Sequence, residues 1–282
     1  MKTVKVDIII PTLEPDEKLK KLIAGLLSQK LKPEKIIIVN TDIDKWDEKF
    51  ECDPSVEVHH IRRDEFNHGA TRNMAVKYSH SPFFICMTQD AVPADTGLTE
   101  KMISVMNEKI KLSYARQLPA EDADSIERIT REFNYPSESS VKNAGDKATL
   151  GIKTYFCSNV CAAYERETFD RLGGFTETDF NEDMIYASKV INAGYSIAYC
   201  GDTGVYHSHN LTGLQQIKRN RVLARSQKLH PEVFGDLKSE SEGVRLLKTS
   251  AGRLVKDGKW YCIPKLIWIS GCKYIGYRMG KI

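Results

Sequence analysis

The sequence predicts an α/β protein, a mostly parallel central sheet flanked by helices, with a helical, basic extension at the C-terminal end. Three observations carry this expectation. Apolar runs of strand length recur at Val4 to Ile10, Lys35 to Val39 and Phe83 to Met87. Between them lie stretches with helical spacing, and such alternation builds parallel sheets with crossover helices. The last 38 residues, 245–282, hold nine Lys or Arg against the single acid Asp257, amid leucines on helical spacing.

Taken in order, Val4 to Ile10 reads as a buried strand running into Pro11-Thr12. Glu17 to Gln29 then carries Leu19, Leu22, Ile23, Leu26 and Leu27 on one helical face. Pro33 breaks the chain. Lys35 to Val39 gives a second strand, Val56 to Ile61 a third, and Thr71 to Tyr78 a helix before the Phe83 strand. From Pro119 to Gly151 the chain is polar and weakly periodic, a long insert expected to be irregular and functional rather than a linker. Phe156 to Tyr164 is apolar again, Phe169 to Phe175 reads as a helix end with a glycine turn, Asp183 to Ala193 as a helix, and Ser196 to Cys200 as a short strand. Beyond Gly213, Ile217, Leu223, Leu229, Leu246, Leu247 and Leu254 recur on helical spacings among basic residues.

Composition narrows the class. Hydrophobic residues at 41% and charged residues at 28% fit an ordinary globular chain and argue against wholesale disorder. The net charge of +3 hides an asymmetry, since a tail of +8 leaves about −5 for the remainder by subtraction. Trp260, Tyr261, Trp268, Tyr274 and Tyr277 are interleaved with that positive charge, a pattern of membrane interfaces rather than of nucleic-acid clefts. Seven scattered cysteines without paired CxxC spacing read as reduced thiols, and Cys157 and Cys161 as packing thiols. Met1 to Asp7 has no apolar core long enough for a secretory leader, and no run approaches the ~20 apolar residues of a spanning helix. A cytoplasmic protein is therefore expected.

The chemistry-bearing residues cluster at element ends. In open α/β sheets ligands bind at the carboxyl ends of the strands, where Pro11, Asn40 to Asp42 and Asp90 all fall. Asp90 follows a buried strand abruptly and is placed to hold a metal ion; a turn residue or helix cap would read the same. Glu182-Asp183 precede a helix, where capping and the helix dipole also favour acids. His207 and His209 alternate after Val205-Tyr206 and are candidate ligands. No P-loop or GxGxxG is present to hold phosphates. A divalent cation would have to neutralise a diphosphate instead, and Asp90 with an imidazole suits Mg²⁺ or Mn²⁺.

Several segments carry a resemblance: VDIIIPT at the start, EFNHGATRN at 65–73, MTQDAVP at 87–93, RQLP at 116–119, REFNYP at 131–136, GIKTYFCSNVCAAY at 151–164, GGF at 173–175, ED at 182–183 and VYHSHN at 205–210. In these the chain resembles glycosyltransferase family 2, inverting enzymes of the GT-A fold, and within it the bacterial polysaccharide rhamnosyltransferase branch. The resemblance implies a GT-A domain over 1–212, with a nucleotide-binding half at 1–95 and an acceptor and catalytic half at 96–212, followed by the extension 213–282. It implies that Pro11, Thr12, Asn40 and Asp42 lie beside the nucleotide, and that Arg72 and Asn73, at a helix start, face base and phosphates. Thr88-Gln89-Asp90 occupies the place of the family's Asp-x-Asp metal motif with the first acid missing, so Asp90 keeps the ligand role, Gln89 stays by the nucleotide and His207 supplies the other ligand. Asp183 matches the catalytic base, with Glu182 positioning it or the donor hydroxyls. Arg116, Gln117, Ser158, Asn159 and His209 are assigned to donor sugar or acceptor.

The resemblance further implies dTDP-L-rhamnose as donor, with UDP-glucose or UDP-galactose the nearest alternatives, and a lipid-linked glycan of a bacterial surface polysaccharide as acceptor. A non-catalytic nucleotide-sugar-binding scaffold is the reading from another class. The tail is expected to hold the protein peripherally on the inner face of the cell membrane; a homodimer is left open and no nucleic acid is expected.

Overall fold

The computed structural model describes residues 4–235 and 240–282; Met1 to Thr3, on which part of the leader reading rests, lie outside them. The first half of the chain supplies β1 (Val6–Leu13), α1 (Glu17–Leu27), β2 (Lys35–Thr41), β3 (Val56–Ile61), α2 (His68–Tyr78) and β4 (Phe83–Met87). Its strands are mutually parallel in the order β3-β2-β1-β4. Strand β1 runs three residues further than the apolar run, through Pro11 and Thr12, which pair with Val39 and Asn40 of β2. The proline is tolerated because pairing with β4 stops at Ile9, so Pro11 has a strand neighbour on one side only.

The second half adds β5 (Val92–Pro93), α3 (Leu98–Ser104), β6 (Ile110–Leu118), α4 (Ser125–Asn134), β7 (Ser140–Lys142), α5 (Lys147–Leu150), β8 (Cys161–Glu165), α6 (Arg166–Arg171), α7 (Glu182–Asn192) and β9 (Ser196–Tyr206). Here the sheet becomes mixed: β8 lies antiparallel between β4 and β6, while β9 is parallel to β6 and antiparallel to β5 and β7. The insert is more ordered than its composition implies. Lys142 of β7 threads inward and donates to Tyr114 Oη and to the carbonyls of Lys153 and Phe156, which pins the segment to the sheet. Strand β9 extends six residues past the expected Cys200, carried by its pairing with β6 and a register shift at Ala115/Arg116.

Side-chain alternation divides the core between two faces. Ile8, Ile10, Ile36 and Ile38 meet Leu22 and Leu26 of α1 on one face, while Ile9, Ile37, Phe84 and Tyr164 meet Phe169, Phe175 and Tyr186 on the other. Fully burying each such side chain is worth ~1.5–3 kcal/mol, so the sheet is a rigid base for whatever its ends carry. All seven cysteines are free.

The remaining chain forms α8 (Gly213–Leu229), α9 (Pro231–Phe234), α10 (Glu240–Lys256) and α11 (Ile263–Lys281). Helix α11 lies hard against α8 because glycines face the crossing: a Cβ on Gly276 would sit 2.4 Å from the Ile217 carbonyl oxygen, and one on Gly280 2.2 Å from that of Arg221. A small apolar cluster of Ile126, Ile129, Leu254 and Leu266 joins α4, α10 and α11. No helix among the described residues is long and apolar enough to cross a membrane.

Candidate active site

The site is built at strand ends. Asp90 follows β4 by three residues, and β9 delivers His207 and His209 beside it, since β9 pairs with β5 just past Asp90 and the two histidines alternate onto one side. His207 Nε2 lies 3.5 Å from Asp90 Oδ1 and His209 Nε2 3.4 Å from Asp90 Oδ2. The three ligand atoms fall within 4.8 Å of one another. These gaps exceed a strong hydrogen bond and leave room for an ion between the groups.

His207 is the buried member, and its orientation is fixed from behind. Its Nδ1 lies 3.2 Å from Gln117 Oε1, an acceptor only, so Nδ1 carries the proton and the Nε2 lone pair faces Asp90. Burial drives its pKa down to about 3, against the attraction of Asp90, which keeps the ring neutral as a ligand must be. Gln117 is a hub. Its Oε1 also accepts from Arg131 Nη1, and its Nε2 donates to Ser158 Oγ at 3.0 Å. His209, expected at the sugar, instead joins the metal-ready group as its third member.

From Ser158 the same strand start leads to the second pair of acids. Asn159 N donates to Asp183 Oδ2 at 3.0 Å, and its Nδ2 to Glu182 Oε1 at 3.0 Å, while its Oδ1 accepts from Tyr164 Oη. Asn159 thus spends its side chain bracing the carboxylates rather than reaching for sugar. Asp183 is partly buried at the start of α7, behind Asn181, which adopts the left-handed region at φ 65°. Burial, and then the neighbouring Glu182 charge, push Asp183 up to about 7. Glu182 goes the other way: burial opposes its charge, but the Arg72 guanidinium 3.1 Å away and His68 hold it below the usual range. Two adjacent carboxyls are thereby split into a fixed anion and a group poised near neutrality.

Other expected contacts are arranged differently. Arg72 is 4% exposed and turned inward to Glu182 and the His68 carbonyl, not out toward phosphate; α2 starts three residues earlier than its periodicity implies, so Arg72 sits in its second turn rather than at its tip. Asn73 exchanges two hydrogen bonds with the Phe175 backbone, and Gln89 two with that of Leu13. Both amides are occupied as structural joints. Thr12 Oγ1 donates to Asn40 Oδ1, and Asn40 Nδ2 to the Asp42 carbonyl, all within the buried ends of β1 and β2. Pro11 is half-buried beside them. Asp42 alone of this group presents its carboxylate outward, on a residue at φ 66°, with Arg63 Nη1 3.9 Å away. Arg116 donates to the Tyr135 carbonyl and ties β6 to the insert.

No sequence pattern singles out the cationic group that faces the site from three helices: Arg131 of α4, Arg219 of α8 and Lys273 of α11. Arg131 is paired with Glu127 at 2.7 Å. The field of Arg219 reaches His207, His209 and Asp183 alike, so one guanidinium stands over both halves of the site. Helical spacing alone made Arg219 and Lys273 indistinguishable from surface charge.

A mixed sheet that gathers Asp90, His207 and His209 at its strand ends, with a near-neutral carboxyl at a helix start linked to them through Gln117, Ser158 and Asn159, fits a group-transfer enzyme of α/β architecture. The chain belongs to glycosyl transferase family 2, whose model matches residues 7–173. It is 34% identical to the O-antigen chain rhamnosyltransferase RfbN of Salmonella typhimurium over 98% of this chain and 90% of that protein. To the O-antigen chain rhamnosyltransferase WbaN of Salmonella anatum it is 39% identical, over 78% and 71%. Its fold matches a mannosyltransferase, PcManGT from Pyrobaculum calidifontis, solved in complex with GDP-Man and Mn²⁺, at a TM-score of 0.62 and 14% identity over 98% of this chain and 86% of that one. The fold is thus GT-A-like, and the protein is a glycosyltransferase.

Proposed function

We propose that the protein transfers L-rhamnose from dTDP-L-rhamnose, with inversion at the anomeric carbon, to a lipid-linked O-antigen glycan. The observation that carries the chemistry is Asp183: a partly accessible carboxyl held near pKa 7 and connected to the Asp90 group through Asn159, its peptide neighbour Ser158 and the hydrogen bonds of Gln117. The names of the two relatives support rhamnose as the sugar and an O-antigen chain as the acceptor, while dTDP and the lipid carrier rest on the family resemblance. In this reading Asp183 takes the proton from an acceptor hydroxyl as its oxygen bonds to C1, and the bond from C1 to the phosphate oxygen breaks on the opposite face. Glu182, locked by Arg72 and Asn159, keeps Asp183 in register and raises its basicity. Arg219 faces the side from which dTDP departs, where a guanidinium suits phosphate oxygens.

Asp90, His207 and His209 would hold the divalent cation, and its chemistry there is to neutralise the diphosphate. Two imidazoles among three protein donors favour Mn²⁺ over Mg²⁺, and the Gln117 contact on His207 Nδ1 is what such a ligand requires. The exposed Trp260, Tyr261 and Trp268 among basic residues support peripheral attachment at the cytoplasmic face of the membrane.

Thermal-shift measurements with dTDP-L-rhamnose, UDP-glucose, UDP-galactose and GDP-mannose, each with and without Mn²⁺, test the donor. A donor at a hundredfold its Kd adds ~2.7 kcal/mol, enough to raise Tm by several degrees. The expected result is the largest shift for dTDP-L-rhamnose, dependent on Mn²⁺; a larger shift for a UDP-hexose would replace the donor.

A further inference from the structure

Between α4, α8, α10 and α11 lies a groove of about 680 Å³, lined by Leu223, Val244, Leu246, Leu247, Leu266 and Ile269. That volume falls in the range of specific ligand sites. Of its polar wall groups, Thr130 Oγ1 donates to the Ile126 carbonyl and Asn220 Nδ2 to that of Gln216, while the buried Ser250 Oγ has no hydrogen-bond partner among the described residues. An occupant that brought backbone donors and acceptors would find few partners here.

One end of the groove is charged. Ile126, Thr130, Ile269 and Lys273 line both the groove and a smaller adjacent cleft that reaches Glu127 and His209, so this end of the groove lies next to the group of Asp90, His207 and His209. Lys273 stands at the junction, with Arg219 and Arg131 nearby. Neither Lys273 nor Arg219 forms an ion pair among the described residues. Of the acids at this end, Glu127 is committed to Arg131 and Asp124 to Lys265. Lys273 is half-buried, and burial lowers its proton affinity, while Arg219 stays exposed beside it, so an anion at this end would meet one desolvated and one accessible cation.

We propose that this groove receives the hydrocarbon chain of the acceptor's lipid carrier, with the carrier's phosphate or diphosphate at Lys273 and Arg219 and the glycan directed to Asp183. The proposal rests on the lipid-linked acceptor of the preceding section and assigns that acceptor a place in the fold. Its rim agrees with a lipid-facing setting, since Ile267 and Tyr274 line the groove yet remain 61% and 58% exposed.

Binding of farnesyl diphosphate and of inorganic pyrophosphate to the full-length protein, by calorimetry, tests the chain and the charge separately. Farnesyl diphosphate is expected to bind at least tenfold more tightly than pyrophosphate. The double variant Ile267→Glu/Tyr274→Glu, at exposed positions that leave the core intact, should shrink that ratio at least fivefold, and Lys273→Gln should weaken both ligands together. Equal affinity of the two ligands, or a ratio indifferent to the rim variant, overturns the proposal. So does competition by phosphatidylglycerol vesicles as effective as by a lipid-linked glycan, which would make the groove a bulk-lipid contact. Since none of these readouts needs transfer, a protein that binds farnesyl diphosphate as described but moves no rhamnose would sink the donor reading and leave the groove standing.

Discussion

Asp183 is expected to set the pH profile. Its folded pKa is raised to about 7 by burial and by Glu182, so the proton-accepting form is lost below that value. The ratio kcat/KM should fall about tenfold per pH unit below pH 7 and level off above it. Asp183→Asn should lower kcat by ~10²–10⁴ while leaving donor binding in place. The same shift has a stability consequence of fixed sign. A carboxyl with a raised folded pKa favours the folded state when protonated, and that contribution disappears as pH climbs from the unfolded value through about 7. The Tm of wild type relative to Asp183→Asn should therefore drop between pH 4 and pH 8; a difference flat with pH would mean Asp183 ionises normally. Gln117 supports a separate prediction. Gln117→Leu removes the acceptor that orients His207 and should weaken Mn²⁺ binding ~10–100-fold, whereas Gln117→Glu, which keeps that acceptor, should retain most of it. Electron paramagnetic resonance titration of free Mn²⁺ reads both.

At the scale of elements, what the sequence revealed and what it hid have one cause. Asp90, His207 and Asp183 stood out as candidates because each sits at the end of a strand or the start of a helix, where pattern and position coincide. Gln117, Ser158 and Asn159 connect them only through the antiparallel placement of β8 between β4 and β6, and no periodicity encodes which strands become neighbours. Arg72 was misplaced for a local reason. Asn67 caps α2 by accepting from Gly69 N and Ala70 N, so Arg72 lies within the helix rather than at its tip, on the face that meets Glu182. Helix α8 shows how the extension serves the site: it accepts Asn181 Nδ2 at the Leu223 carbonyl, and its Ser226 Oγ donates to the Phe180 carbonyl. The turn that aims Asp183 is thus held by a helix outside the family-matched segment. Because α11 fixes α8 through Gly276 and Gly280, Gly280→Leu should force the two backbones apart and cost several kcal/mol. The expected signs are a lower Tm and faster proteolysis within α11, with activity falling as the Asn181 turn loosens; an unchanged Tm would show that the crossing has slack.

For the whole molecule, the division of charge is a statement about orientation. Residues 245–282 carry +8 and the remainder about −5, so near an anionic surface the molecule experiences a torque that turns its C-terminal helices inward and its acidic body away. Lys248, Lys256 and Arg278 are exposed and form no ion pair among the described residues, so their charge is available to an anionic surface. Each basic side chain near such a surface is worth ~1 kcal/mol, and the three together about two orders of magnitude in partitioning. Trp260 and Trp268, 68% and 66% exposed, would add an interfacial contribution that salt does not screen. The two can be separated by sedimentation with phosphatidylglycerol vesicles. Replacing the three bases by Gln should lower partitioning ~10²-fold at low salt and much less at high salt, while Trp260→Ser/Trp268→Ser should lower it at every salt concentration. If the Gln variant partitions like wild type at low salt, the extension does not meet the membrane through its charge, and the orientation that would bring a lipid-borne acceptor to Asp183 must come from the acceptor alone.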